Sequence, residues 1–236
     1  MPDPLVFVPG LMADARIFLP QIVRLGAGYS CQINLPTNGE TVEQMSEAML
    51  MGLPARFSPI GHGLGGNVAL DLVRRVPERV THLVLIATDP LAEVPQIAAN
   101  REMRMVAARA GRLAEAMRGE IPASTLGDSP WREEVLALVQ DMAMNLAEGV
   151  YLRQSRAMQR RPDQEKTMRR IRLPVLVIAG ALDTLVTLRR QEFSANLMPF
   201  GRLQVIPDAR HLPSLEEPEA TSAAIEDFLS GPVLLR

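Results

Sequence analysis

Short apolar runs alternate along the chain with longer segments whose apolar residues recur at helical spacing. The runs predict strands at Leu5 to Val8, Ser30 to Asn34, Arg56 to Ile60, Val80 to Ala87, Val175 to Ala179 and Leu203 to Ile206. Most of them are near-continuously apolar, as strands covered on both faces are. Helical spacing predicts helices over Phe18 to Leu25, Thr41 to Met51, Leu64 to Val76, Leu188 to Asn196 and Pro218 to Leu229. In the third of these, Leu64, Val68, Leu72 and Val76 form one stripe, and Pro77 stops it. Strands alternating with helices imply the α/β class, with a mostly parallel sheet of about six strands flanked by helices.

The alternation lapses between Thr88 and Arg172, where stretches rich in Ala, Met, Leu, Arg and Glu take over. Gly111, Gly119, Pro122, Gly127, Pro130, Gly149 and Pro162 divide this region into about four helices. Residues 89–172 are therefore expected to be a helical insertion in a core made of residues 1–88 and 173–236. Arg153, Arg156 and Arg160 share one helical face, expected to be solvated.

Composition narrows the picture. A length of 236 residues with 47% apolar residues suits one α/β domain with an insertion. A net charge of -2 without a long basic block argues against nucleic acid as a partner. The apolar start, Pro4 to Val8, is too short for a signal segment and lacks a basic leader, so a cytoplasmic protein with no membrane association is expected. The one cysteine, Cys31, rules out an internal disulfide and is expected to be a small buried strand residue. No Cys/His cluster has metal-ligand spacing, and no cofactor is called for. Composition leaves the oligomeric state open.

The chemistry centres on Gly61-His62-Gly63-Leu64-Gly65-Gly66, which lies between a predicted strand and a predicted helix. It matches the nucleophile elbow G-x-S-x-G except that Gly63 occupies the serine position. Three further motifs follow the same logic. Leu5 to Val8 leads into Pro9-Gly10-Leu11-Met12, Pro174 to Ala179 leads into Gly180-Ala181-Leu182-Asp183, and Ile206-Pro207-Asp208-Ala209-Arg210-His211-Leu212-Pro213 places a histidine in a loop after the last strand. In these four motifs and their order the chain resembles the α/β-hydrolase fold family, particularly its small carboxylesterase and enol-lactonase-like members, over nearly its whole length.

The resemblance implies a role for each residue. Gly63 marks the nucleophile position, His211 is the general base and Asp183 the acid that orients it, with Asp89 in reserve because some relatives place the acid there. The backbone N–H groups of Leu11 and Leu64 form the oxyanion hole. His62 is expected to pack beside the elbow without acting. The insertion becomes a cap over the site, and Met103, Met142, Met144 and Met158 are candidate substrate-lining residues because thioether side chains adapt to apolar ligands. The implied activity is hydrolysis of a small, apolar carboxylic ester, or of a lactone or thioester, by a Ser-His-Asp mechanism. Gly63 then makes this chain an inactivated variant of such an enzyme. Two other readings stand beside it: a naturally serine-free protein of the same fold that binds a small ligand, and an enzyme whose His–Asp dyad activates water or abstracts a proton.

Overall fold

The computed structural model describes residues 2–231, so the outermost parts of the expected core, residues 1 and 232–236, lie outside the described residues. The order of elements is β1 (Leu5–Val8), α1 (Leu19–Leu25), β2 (Cys31–Ile33), α2 (Val42–Met49), β3 (Ser58–His62), α3 (Leu64–Arg75) and β4 (Leu83–Ile86). Four helices follow, α4 (Pro95–Arg109), α5 (Leu113–Glu120), α6 (Arg132–Gln159) and α7 (Glu165–Arg170). The chain then returns as β5 (Val175–Gly180), α8 (Leu188–Leu197), β6 (Gly201–Ile206), α9 (Pro213–Glu216) and α10 (Pro218–Ser230).

The six strands form one parallel sheet in the order β2-β1-β3-β4-β5-β6. The order reverses direction between β1 and β3, and the loops leaving these two strands, at Gly10 and Gly63, open a crevice at the carboxyl edge. Ligand sites of open α/β sheets lie in such crevices. The inner strands β1, β3, β4 and β5 are buried throughout; β1, β4 and β5 are unbroken apolar runs, whereas β3, Ser58-Pro59-Ile60-Gly61-His62, is buried although it carries polar residues. The edges depart from that reading. All three residues of β2 are only half-buried, so Cys31 is not the buried residue expected, because β2 has a neighbour on one side alone. At the other edge β6 alternates half-buried and exposed positions.

One face of the sheet carries Phe7, Ile60, Val84 and Ile178 against α1 and α10, and the same apolar cluster continues into the insertion through Met105, Met117, Met142 and Tyr151. The opposite face buries Val6, Val8, Leu85 and Val177 against α2 and α3. The segment between β4 and β5 thus shares a core mainly with the first face, and adds Ala157, Met168 and Ile171 to the cluster on the second.

Two details of the insertion differ from expectation. Gly149 does not end a helix: α6 runs through it, and the interruption falls at Ala147, with φ 66° and ψ 167°. The face of Arg153, Arg156 and Arg160 is not simply solvated. The Arg153 Nε donates to the Thr37 carbonyl at 2.8 Å, and Arg156 and Arg160 flank Glu40 at 3.6 and 3.4 Å, so the face docks on the loop between β2 and α2. No helix among the described residues is long and apolar enough to cross a membrane.

Helix α3 approaches the sheet so closely that a methyl group on Gly65 would overlap the Val8 carbonyl oxygen. Backbone meets backbone there, and no rotamer change relieves the clash. Gly65→Ala is therefore expected to destabilise the protein by about 3 kcal/mol or more, beyond the ordinary cost of overpacking, as read from urea unfolding midpoints.

Candidate active site

The residue at the elbow is held in an unusual conformation. Gly63 has φ 52° and ψ -113°, a region L side chains rarely enter, and a strained one for any residue but glycine. Its N–H donates to the Ile86 carbonyl at 3.0 Å, and its carbonyl accepts from Gly66 N–H at 3.1 Å and from the Asn67 side chain at 3.3 Å. An ideal Cβ built on Gly63 meets nothing within 4 Å. The backbone thus holds the elbow shape, and the space beside it is open.

Asp183 and His211 meet across the ends of β5 and β6. The His211 Nδ1–H donates to Asp183 Oδ2 at 3.0 Å, while Asp183 Oδ1 accepts from Leu185 N–H at 2.8 Å and Val186 N–H at 3.0 Å. Burial alone raises the carboxyl of Asp183. The hydrogen bond and charge of His211 and the N–H groups of Val186 and Leu185 outweigh it and hold the group below its ordinary value. An ionised Asp183 fixes the tautomer in which Nε2 of His211 carries the free lone pair. Asp89, the reserve acid, lies elsewhere, with its carboxylate 3.6 Å from Arg161 and 3.9 Å from Arg190.

His62 is buried, and its Nε2–H donates to the His211 carbonyl at 3.0 Å. The two imidazoles meet edge to face at 5.3 Å. Burial first, then the neighbouring His211, lower the His62 value to about 4, so it stays neutral near pH 7 and serves as a brace for the loop that carries His211.

Gly63, Leu64, Leu11 and His211 line one cavity of about 290 Å³. Leu11 and Leu64 each present a backbone N–H that makes no hydrogen bond among the described residues. Leu64 opens α3, where unpaired donors and the helix dipole favour negative charge. Of the expected methionines, Met142 and Met158 line the cavity. Met103 and Met144 do not: they are 68% and 51% exposed. Each sits two positions from a buried methionine, Met105 or Met142, and two residues along a helix turn a side chain by about 200° to the other face.

A charged wall faces this apolar lining, and no motif announced it. Arg101 bridges Glu93 at 2.9 Å and Glu120 at 3.0 Å, Arg161 joins Glu93 at 2.8 Å, and Arg104 and the Tyr151 hydroxyl reach Glu120 at 2.9 and 2.8 Å. The side chains of Glu93, Arg161, Arg101 and Glu120 are no more than 8% exposed. Burial raises Glu93, but its bonds to Arg101 and Arg161 prevail and keep it below its usual value. Arginine and glutamate on helices usually mean a wet surface, so the sequence pattern carried no signal for this network. Among the described residues no group of three or more His, Cys, Asp or Glu side chains could hold a metal ion.

The model of the alpha/beta hydrolase family matches residues 5–224. The chain belongs to this family. The pimeloyl-[acyl-carrier protein] methyl ester esterase of Aromatoleum aromaticum is 33% identical over 234 residues, which cover 94% of this chain and 91% of that one. The protein of the same name from Edwardsiella ictaluri is 26% identical, covering 96% of this chain and 93% of its own. Among solved structures, a thermophilic esterase from Thermogutta terrifontis superposes with a TM-score of 0.85 at 24% identity, covering 96% of this chain and 89% of that one. The enol-lactonase from Burkholderia xenovorans does so with a TM-score of 0.83 at 21% identity, covering 98% and 93%. At those identities the two structures establish the α/β-hydrolase fold of the chain.

Two outcomes follow from the site's electrostatics. Because the folded value of His62, about 4, lies below the free value of 6.5, the unfolded chain takes up the proton first. Stability is therefore full above pH 6.5 and falls by roughly 3 kcal/mol as the pH drops to 4. Chemical denaturation at stepped pH should show this slope, and His62→Gln should flatten it. Arg101→Met should cost about 3 to 5 kcal/mol at neutral pH by leaving two buried carboxylates without their shared partner, and the additional change Glu93→Gln should recover part of that loss.

Proposed function

We propose that this site is built to hydrolyse a carboxylic ester, and that the substrate class is the methyl ester of a medium-length acyl chain presented on a carrier. One observation carries the reading: a buried Asp183–His211 pair, an elbow backbone at Gly63 and two unpaired N–H groups face a single, largely apolar cavity. The methyl ester esterases at 33% and 26% identity support the choice of ester. Gly63 stands in the place of the serine, and the chain is an impaired form of the hydrolase.

With serine at 63 the chemistry runs in two steps. Its Oγ attacks the ester carbonyl as His211 Nε2 takes the proton, and the N–H groups of Leu11 and Leu64 donate hydrogen bonds to the developing oxyanion. The alcohol leaves with the proton from His211, and water then releases the acid by the same route in reverse. With glycine at 63 no acyl-enzyme forms. A water molecule in the open space beside Gly63 must attack directly, activated by His211, and the product acid forms in one step. Each oxyanion donor is worth roughly 3 kcal/mol, so this slower route still exceeds the uncatalysed reaction.

Gly63→Ser tests the proposal. Hydrolysis of a pimeloyl methyl ester on acyl carrier protein, and of simple methyl esters, should rise by several orders of magnitude, since losing this nucleophile costs about 10⁶-fold in a serine protease. The melting temperature should fall, because serine pays about 1 to 3 kcal/mol for the conformation glycine adopts freely. A folded Gly63→Ser protein that stays inert on ester, lactone and thioester panels, and resists fluorophosphonate labelling, would falsify the hydrolase reading in favour of a serine-free binding protein.

A further inference from the structure

The loop that carries the Leu11 N–H is held from outside itself. It has one internal backbone hydrogen bond, from Ala13 N–H to the Gly10 carbonyl at 3.3 Å, and Met12 sits in the left-handed region with φ 53°. A non-glycine residue stays there only when its surroundings over-determine it. Those surroundings come from α6, more than a hundred residues away in sequence. Gln154, completely buried, accepts the Met12 N–H on Oε1 at 2.7 Å and donates from Nε2 to the Pro36 carbonyl at 3.0 Å. An N–H can only donate and a carbonyl only accept, so the orientation of this amide is unambiguous. Nearer the start of α6, the Met142 sulfur accepts from Asp14 N–H at 3.5 Å, and Asp141 pairs with Arg16 at 2.6 Å.

We infer that Gln154 is a positioning residue for the oxyanion hole: its amide ties the loops after β1 and β2 together and holds Met12 so that the adjoining Leu11 N–H faces the reacting carbonyl. This rests on the ester-hydrolase reading above. It makes the inserted helix part of the machinery that stabilises charge, in addition to a wall of the pocket. The side chain of Gln154 touches no substrate. Its effect falls on the charged, tetrahedral state of the reaction and spares the neutral ester, because only the former draws on the oriented N–H.

The test uses the chain as it is, titrated by calorimetry with two ligands of equal chain length: methyl pentylphosphonate, an anion shaped like the tetrahedral intermediate, and methyl hexanoate, the neutral ester. The parent should bind the phosphonate more tightly. Gln154→Met, which fills the same volume without hydrogen bonds, should weaken phosphonate binding about tenfold or more and change methyl hexanoate binding less than about twofold. Gln154→Asn, too short to span both partners, should do the same and serves if the first variant does not fold. Gln154→Glu, studied at pH 6 where burial keeps the carboxyl protonated, can still accept from Met12 and donate to Pro36, and should restore the parent's preference. In the Gly63→Ser background the Met variant should lower kcat about tenfold or more with KM little changed. Unchanged phosphonate affinity in Gln154→Met, or equal weakening of both ligands, overturns the assignment. A parent that shows no preference for the phosphonate has no oriented oxyanion hole, which overturns it as well. If the preference is present and depends on Gln154 while Gly63→Ser remains inert, the hydrolase reading fails alone, and Gln154 organises an anion-binding site.

Discussion

The arrangement depends on how closely α3 can lie against the sheet at the point where β3 ends. Gly61, Gly65 and Gly66 leave no side chain between the helix and the strands, and backbone atoms of Val8, Pro9 and Thr88's side chain occupy the space a methyl group would need. That approach forces the chain to turn within one residue, Gly63, whose N–H is fastened to the Ile86 carbonyl. Asn67 completes the joint, donating to the carbonyls of both Gly63 and Asp89, so that the ends of β3 and β4 are fixed to each other. The direction of the Leu64 N–H follows from this turn, and so does the opening of the cavity at Gly63. A looser helix would leave the same residues in sequence without a site.

The insertion faces this rigid edge with two different materials. Met142, Met158, Val139 and Ile121 give the cavity an apolar lining. Beside them, Glu93, Arg101, Glu120 and Arg161 join the segment before α4, α4 itself, α5 and the turn after α6 through buried ion pairs. Pairs of this kind add little net stability over apolar residues of the same volume, because desolvation offsets most of the attraction. Their effect is directional. Each partner is costly to leave alone, so the helices are confined to the relative placement that satisfies all of them, and the pocket's shape is specified more narrowly than apolar packing would specify it.

The fold was legible because its signals are redundant. Six largely apolar runs in alternation with helical stripes give the sheet, the glycines of the elbow mark where β3 gives way to α3, and Pro77 marks where α3 ends. The meeting of Asp183 with His211 was legible as well, since both residues lie at strand ends and parallel strands bring such ends to one edge. What sequence pattern missed lies in the insertion. Met103 and Met105 are equally apolar, and only the direction of α4 decides that the first faces solvent and the second the core. Arg101, Glu93 and Gln154 look like surface residues in any local window; their burial is set by partners 8 to 142 positions away, which no periodicity encodes. The helix break at Ala147 has no glycine or proline of its own, while Gly149 nearby is accommodated in the helix.

The glycine at 63 separates two properties that a serine combines. Shape is one of them: φ and ψ at this position still have the values of a strained elbow, although glycine has no need of them, because the hydrogen bonds to Ile86 and Asn67 and the tight seating of α3 impose them from outside. Chemistry is the other: on the ester-hydrolase proposal a serine would supply a hydroxyl that glycine does not have. On that proposal a serine hydroxyl would be tethered beside the carbonyl it attacks, whereas a water molecule in the same space would have to be captured and oriented at each turnover, giving up much of the advantage that a positioned nucleophile provides. Asp183, His211 and Leu64 do not depend on the side chain at 63 for their placement: Asp183 is held by Leu185 and Val186, His211 by Asp183 and His62, and Leu64 by the start of α3. The backbone and side chains around position 63 are therefore preorganised independently of the residue there, and on the ester-hydrolase proposal the open space beside Gly63 is the element that sets the limit.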